Sequence, residues 1–218
     1  MKKLVRGIVE FRQKMLPGYR DTFARLALGQ SPDTLFIACS DSRVVPNLFA
    51  STNPGDLFVV RNVGNLIPPC GADGHSSADE SEAAAIEFAL LSLGVKDLIV
   101  CGHSECGAMQ SLVKGRELVG SPNLRAWLRH GESALARLSA GTAAAERANQ
   151  LSQLNVLQQL EHLRSYPHVA ERERSGELKL HGWWFELRSA SVYCHEPALG
   201  TFVLIDEAEA ERILARLG

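Results

Sequence analysis

Leu4, Ile8, Phe11 and Met15 recur at i, i+4, i+7 and i+11, one apolar stripe of an amphipathic helix that Pro17-Gly18 is expected to end. A second helical stretch is predicted over 19–27, stopping at Gly29. Thr34-Leu35-Phe36-Ile37-Ala38 is a short continuous apolar run and predicts a buried strand. Asn53-Pro54-Gly55-Asp56 signals a turn, and Leu57-Phe58-Val59-Val60 behind it reads as a second strand of buried type. Residues 65–81 are rich in proline, glycine and small polar groups and predict a long loop, a feature often tied to function. An Ala/Leu-rich helix is expected over 83–93, closing at Gly94, and Asp97-Leu98-Ile99-Val100-Cys101 is a third buried strand. Beyond Pro122 the chain reads as helical to about Tyr166, with Leu151, Leu154, Val156, Leu157, Leu160 and Leu163 as its apolar face. Strands are expected over 178–187 and 202–205, and a closing helix over 207–217.

Fully apolar strands separated by helices imply a parallel sheet covered on both faces. The expected fold is therefore α/β, a mainly parallel central sheet flanked by helices, with an N-terminal helical arm. At 218 residues the chain fits one domain over 1–218, divided into an arm (1–29) and an α/β core (30–218). Composition narrows the function classes. Hydrophobic residues make up 45% and charged residues 22%, which excludes a disordered chain. The net charge of −2, without a basic block, argues against nucleic acid as a partner. No apolar run approaches the ~18 residues of a membrane span. Arg6, Glu10, Arg12 and Lys14 interrupt the first stretch, so no signal-peptide core is read and a cytoplasmic location is expected. Five cysteines, an odd number, make a poor disulfide framework; in a reducing compartment they read as metal ligands, nucleophiles or small core residues.

The chemistry gathers where predicted strands end, the usual ligand position in open α/β sheets. Cys39-Ser40-Asp41-Ser42-Arg43 follows the first strand and His103-Ser104-Glu105-Cys106 the third. His-x-x-Cys lets one turn aim a ring nitrogen and a sulfur at the same cation, and Cys39 joins them if the two strands are neighbours. A lone cysteine at a strand end is more often core than ligand, and His-x-x-Cys alone is a weak signal; together, each after a buried strand, they point to zinc. Three protein ligands leave a fourth position open, the mark of a catalytic site. Asp41 and Arg43 read either as a surface ion pair or as a clamp that holds the carboxylate off the metal. A closed, non-catalytic site would need a fourth ligand. Cys101 is the best candidate, with Cys70 and His75 reachable through the loop, although Cys101 reads more simply as a buried apolar residue.

These motifs, with Arg61-Asn62-Val63-Gly64-Asn65, Ala85-Ile86-Glu87-Phe88-Ala89, Gly102-His103-Ser104-Glu105-Cys106-Gly107-Ala108 and His181-Gly182-Trp183, resemble the signatures of the β-class carbonic anhydrases in order and separation, over roughly residues 11–205. The resemblance implies one Zn2+ per subunit on Cys39, His103 and Cys106, joined by Asp41 only if the site is in a closed state. It implies Asp41 and Arg43 as a catalytic dyad, and reversible hydration of carbon dioxide to bicarbonate and a proton by attack of zinc-bound hydroxide. It also implies a homodimer or dimer of dimers in which the N-terminal helices wrap the partner. Gln30 matches a glutamine that binds substrate from the neighbouring subunit. Phe58, Val63 and Phe88 match walls of the substrate pocket, Phe88 standing where many members have tyrosine. Phe36 and Phe185 take the places of a tryptophan and a tyrosine that, with the arginine matched by Arg61, form a bicarbonate-inhibition site in one subgroup, so that inhibition is not expected here. Relatives that hydrolyse carbon disulfide or carbonyl sulfide keep the same zinc ligands and supply the alternative reading. His75 is a candidate proton shuttle, against the plainer reading of an exposed loop histidine.

Overall fold

The computed structural model describes residues 1–78 and 80–217. The N-terminal stripe folds as α1 (Lys2–Glu10), a π-helical stretch over Phe11–Met15 and α2 (Leu16–Leu26). Pro17-Gly18 does not end the helix. Pro17 lies in the first turn of α2, where a missing N–H costs nothing, and the wider π turn lets the Leu16 N–H reach the Phe11 carbonyl. The chain continues through β1 (Thr34–Cys39), α3 (Pro46–Phe49), β2 (Leu57–Asn62) and α4 (Glu80–Glu87). A π-helical Phe88–Leu93 extends α4 and ends at Gly94, whose φ of 67° is the left-handed helix stop that glycine permits. Then come β3 (Asp97–His103), α5 (Gly107–Lys114), α6 (Pro122–Leu128), α7 (Glu132–Leu135), α8 (Arg147–Arg164), α9 (Pro167–Ser175), β4 (Lys179–Glu186), β5 (Ser191–Glu196), β6 (Thr201–Leu204) and α10 (Glu207–Leu217).

The strands form one sheet in the order β2-β1-β3-β4-β5-β6. The first four run parallel; β4–β5 and β5–β6 pair antiparallel. The helical region expected beyond Pro122 is divided into α6, α7 and α8. Gly131, in the first break, packs so tightly that a Cβ there would meet Leu112 Cδ1 at 2.7 Å. β2 was expected to be buried, but it is the edge strand, and Val59 is 37% exposed. The central pair β1 and β3 carries the core. Leu35, Ile37, Leu98 and Val100 pack beneath Ile86, Leu90, Val156 and Leu163 on one face, while Phe36, Ala38, Ile99 and Cys101 join Val44 and Phe185 on the other. Each large side chain so buried contributes about 1.5–3 kcal/mol. A third cluster, including Leu66, Met109, Leu112, Leu128 and Leu151, surrounds Cys39 and Cys106.

The arm differs from this pattern. α1 buries no residue, and Leu4, Val5, Ile8 and Val9 are each at least 50% exposed. Its apolar stripe is thus left without a partner in the single chain. Among the described residues no helix is long and apolar enough to cross a membrane.

One buried group gives the fold a pH dependence. His130 stacks edge-on against Trp127 at 5.5 Å, and its Nε2 is buried without a hydrogen-bond partner. Burial first, then the nearby Arg129 and His162 charges, lower its pKa to about 4. The unfolded chain takes up this proton near the ordinary histidine value of about 6.5 and the folded chain only near 4, so stability falls as pH drops through that interval. The loss reaches at most about 3 kcal/mol. His130→Phe is expected to flatten this acid limb in urea titrations between pH 6.5 and 4; a slope equal to wild type would contradict the assignment.

Candidate metal centre

β1 and β3 are adjacent and in parallel register, with Ala38 opposite Cys101, so both chains leave the sheet at the same end. Cys39 is the last residue of β1 and His103 the last of β3. Glu105, a non-glycine residue at φ 56°, then turns the chain, and Cys106 follows as the N-cap of α5. That reversal brings Cys106 back toward Cys39: the ligand atoms of Cys39, His103 and Cys106 all lie within 4.8 Å of one another. The three residues are 5%, 0% and 1% exposed.

The donor set fits a cation. His103 Nδ1 is 2.8 Å from the Ser104 carbonyl oxygen, which can only accept, so the proton belongs on Nδ1. Nε2 is left with a bare lone pair, buried and without a hydrogen-bond partner. Leaving such an atom unmatched costs about 1–3 kcal/mol, a cost a bound cation removes. The sulfurs form a coupled pair. The Cys106 thiol beside Cys39, with the Gly64 N–H at 3.3 Å, pulls the Cys39 thiol well below the cysteine range against the opposing effect of burial. Cys106 is pushed up, because its proton is held against the Cys39 sulfur and because it is buried. Two sulfurs and an imidazole are the preferred ligands of zinc. Among the described residues no fourth histidine, cysteine or carboxylate joins this group. Cys101 sits instead among Phe36, Ala38, Ile99 and Phe185, its thiol pushed up by burial alone. Cys70 and His75 belong to the loop that docks on the C-terminal end of α8, where Ser165 Oγ accepts from Cys70 N at 2.7 Å and Tyr166 Oη donates to Pro68 O at 2.8 Å. That end lies about 20 Å along the helix from Ser152, which bonds His103, so the loop histidine is not brought to the centre.

Asp41 stands beside the cluster, Oδ2 4.0 Å from His103 Nε2, and is held there by Arg43. Arg43 Nε donates to Oδ1 at 2.9 Å, Nη2 to Oδ2 at 2.8 Å and the Arg43 backbone N–H to Oδ1 at 3.0 Å. Nη2 also reaches the Glu105 carbonyl at 3.1 Å, tying the clamp to the turn before Cys106. The Arg43 hydrogen bonds hold the Asp41 carboxyl well below the usual carboxylate range, with burial opposing. A carboxylate so depressed keeps its contribution above its ordinary value of about 4 and loses it only in stronger acid, so the clamp is intact at neutral pH.

Sequence reasoning underrated Arg61. Its Nε and Nη2 donate to the Cys39 carbonyl at 3.1 and 2.8 Å, and Nη2 to the Asp41 carbonyl at 2.7 Å, fixing the backbone of the ligand turn. Its place in the Arg61-Asn62-Val63-Gly64-Asn65 motif was the only signal. Val63 lies next to Gly64 and is 44% exposed, with its carbonyl held by Trp127 Nε1 at 2.8 Å. The other pocket candidates lie elsewhere. Phe58 pairs with Leu35, four residues and about 13 Å before Cys39, and packs on Phe88 at 5.8 Å; Gln30 is exposed ahead of β1. Phe36 packs between Phe49 and Trp183 at 6.1 and 5.9 Å, and Phe185 stacks on Phe49 at 4.7 Å.

Comparison with known proteins agrees with this arrangement. The family model described as carbonic anhydrase matches residues 34–192. A carbonic anhydrase of Synechocystis sp. is 41% identical over 93% of this chain and 74% of its own length. The solved structure of the β-carbonic anhydrase CcaA superposes with a TM-score of 0.88 at 39% identity, covering 95% of this chain and 92% of the other. A tetrameric β-carbonic anhydrase from Sordaria macrospora gives a TM-score of 0.76 at 28% identity, over 93% of this chain and 98% of its own.

Proposed function

The chain belongs to the β-carbonic anhydrases, enzymes of reversible carbon dioxide hydration, and from that premise we propose that it works with one zinc ion per subunit held by Cys39, His103 and Cys106. The observation that carries this reading is the bare, buried Nε2 of His103 beside two cysteine sulfurs, with no fourth protein ligand among the described residues. Zinc, when bound, would supply a Lewis acid that makes water a usable nucleophile near neutral pH.

The chain's own residues do the rest. Asp41 accepts a hydrogen bond from the attacking O–H group and so turns its lone pair toward the substrate. Arg43 keeps that carboxylate in the second position rather than on the metal, and Arg61 fixes the turn that carries both Cys39 and Asp41. Carbon dioxide is apolar, and Val63 offers a matching wall. Gln30, Phe58 and Phe88 are remote from their own chain's cluster, which supports a role in the site of a second copy. There the Gln30 amide would donate to the oxygen that gains charge, and the two rings would exclude water. The exposed stripe of α1 supports the same assembly, a homodimer or dimer of dimers formed from single β-carbonic-anhydrase domains. Five unpaired cysteines fit a reducing, cytoplasmic setting.

Stopped-flow hydration of carbon dioxide tests the proposal. A strong chelator is expected to abolish activity, and one equivalent of zinc per chain to restore it. Undiminished turnover by metal-free protein would contradict it.

A further inference from the structure

Helix α8 buries a row of polar side chains that the mechanism above does not use. Asn149, Ser152, Asn155 and Gln159 are spaced by three, three and four residues and so share one face of the helix. Ser152, Asn155 and Gln159 are at most 2% exposed. A face packed against β3 would ordinarily be apolar. Here Ser152 and Asn149 are instead matched to the backbone of the segment that carries His103 and Cys106, Asn155 to the glycine that bonds the Cys39 sulfur, and Gln159 to Asn155 and to the backbone at Ile67 and His130.

Ser152 Oγ donates to the His103 carbonyl at 2.8 Å and accepts from the His103 N–H at 3.2 Å and from Trp184 Nε1 at 3.2 Å, which uses its full hydrogen-bonding capacity. Asn149 Oδ1 accepts the Glu105 N–H at 2.8 Å, one residue before Cys106. Asn155 Nδ2 donates to the Gly64 carbonyl at 3.1 Å, and the N–H of that same glycine donates to Cys39 Sγ. Gln159 Nε2 braces Asn155 Oδ1 at 2.9 Å, and its Oε1 accepts the Ile67 N–H at 2.7 Å. Close approach of the helix is built in: a Cβ on Gly102 would lie 2.8 Å from Val156 Cγ2 and 3.0 Å from Ser152 Oγ.

We propose that this face of α8 is the positioning template of the metal centre, Ser152 fixing the backbone of His103 and Asn155 aiming the Gly64 amide at the Cys39 sulfur. The inference rests on the zinc reading above. An amide hydrogen bond lowers the energy of the sulfur donor electrons, so losing it shifts a thiolate-to-metal charge-transfer band to longer wavelength. Outer-shell partners of this kind change metal affinity by roughly 10–100-fold when removed.

The test uses the full chain loaded with zinc or with cobalt(II) as a spectroscopic probe. Competition against a chromophoric chelator is expected to show zinc held 10–100-fold more weakly by Ser152→Ala and by Asn155→Leu. The cobalt–thiolate band is expected to move to longer wavelength in Asn155→Leu only. Ser152→Thr, which keeps the hydroxyl, should return affinity toward wild type, and Leu163→Ala, at the far end of α8, should lower stability without moving either readout. Folded variants with wild-type affinity and an unmoved band would overturn the template while leaving the zinc reading standing. Failure of the wild-type chain to take up either ion would instead overturn the zinc reading, and the template with it. Where Asn155→Leu does not fold, Ser152→Ala, which removes a single oxygen atom, decides the matter by affinity.

Discussion

Cys39→Ser and His103→Ala are expected to purify without stoichiometric zinc and to hydrate carbon dioxide no faster than buffer. Both side chains are buried, and their donor atoms converge with Cys106 Sγ inside 4.8 Å, so removing one leaves two ligands. Serine is a poor substitute because its hydroxyl stays protonated at neutral pH, whereas the Cys39 thiol is already drawn toward the thiolate by Cys106 and the Gly64 amide. His103→Ala also removes the atom whose lone pair otherwise lies buried without a partner. The fold should survive both changes, because β1 and β3 remain packed in the core clusters. Metal analysis beside stopped-flow assay decides the point. Zinc retained at one per chain in either variant would show that the cluster is not the metal centre.

Arg43→Ala is expected to keep one zinc per chain and to lose about a hundredfold or more in kcat/KM, equivalent to roughly 2.7 kcal/mol of transition-state stabilisation. The guanidinium touches no proposed ligand atom; it holds Asp41 by two side-chain hydrogen bonds. Once released, the carboxylate has only a short distance to travel, since Oδ2 is already 4.0 Å from His103 Nε2. It would then occupy the position that must stay open. Little stability is at stake, because Arg43 is 52% exposed at its side chain and a solvent-screened ion pair contributes little. Metal-free Arg43→Ala protein would contradict the gating role, and so would full activity.

The parts of this architecture legible in the sequence are those where one physical signal dominates. β1 and β3 read as continuous apolar runs, and the chemistry at their ends is legible only in combination: Cys39 alone reads as core, and Cys39 with His103-x-x-Cys106 reads as a metal site. β5 was not foreseen: Ser191-Val192-Tyr193-Cys194-His195-Glu196 is half-buried at most positions and owes its form to pairing with β4 at Trp183 and β6 at Val203. Pro17-Gly18 misled because a proline in a first turn starts a helix as readily as it ends one. On α8 the leucines marked the core face, while Ser152, Asn155 and Gln159 passed as ordinary polar positions; only the folded chain shows that they too are buried. Phe58 and Phe88 match a pocket by motif, and the register of β2, with Phe88 packed on Phe58, places them away from the cluster of their own chain.

The central claim is that two sulfurs and one imidazole hold a single zinc ion with the fourth position left to a light atom. Zinc K-edge X-ray absorption on purified protein, with metal quantified per chain, tests it most directly. One zinc per chain with two sulfur scatterers and one histidine shell among four near neighbours is the expected result. A third sulfur in that shell, or protein that carries no zinc after purification with the metal supplied, would contradict the account.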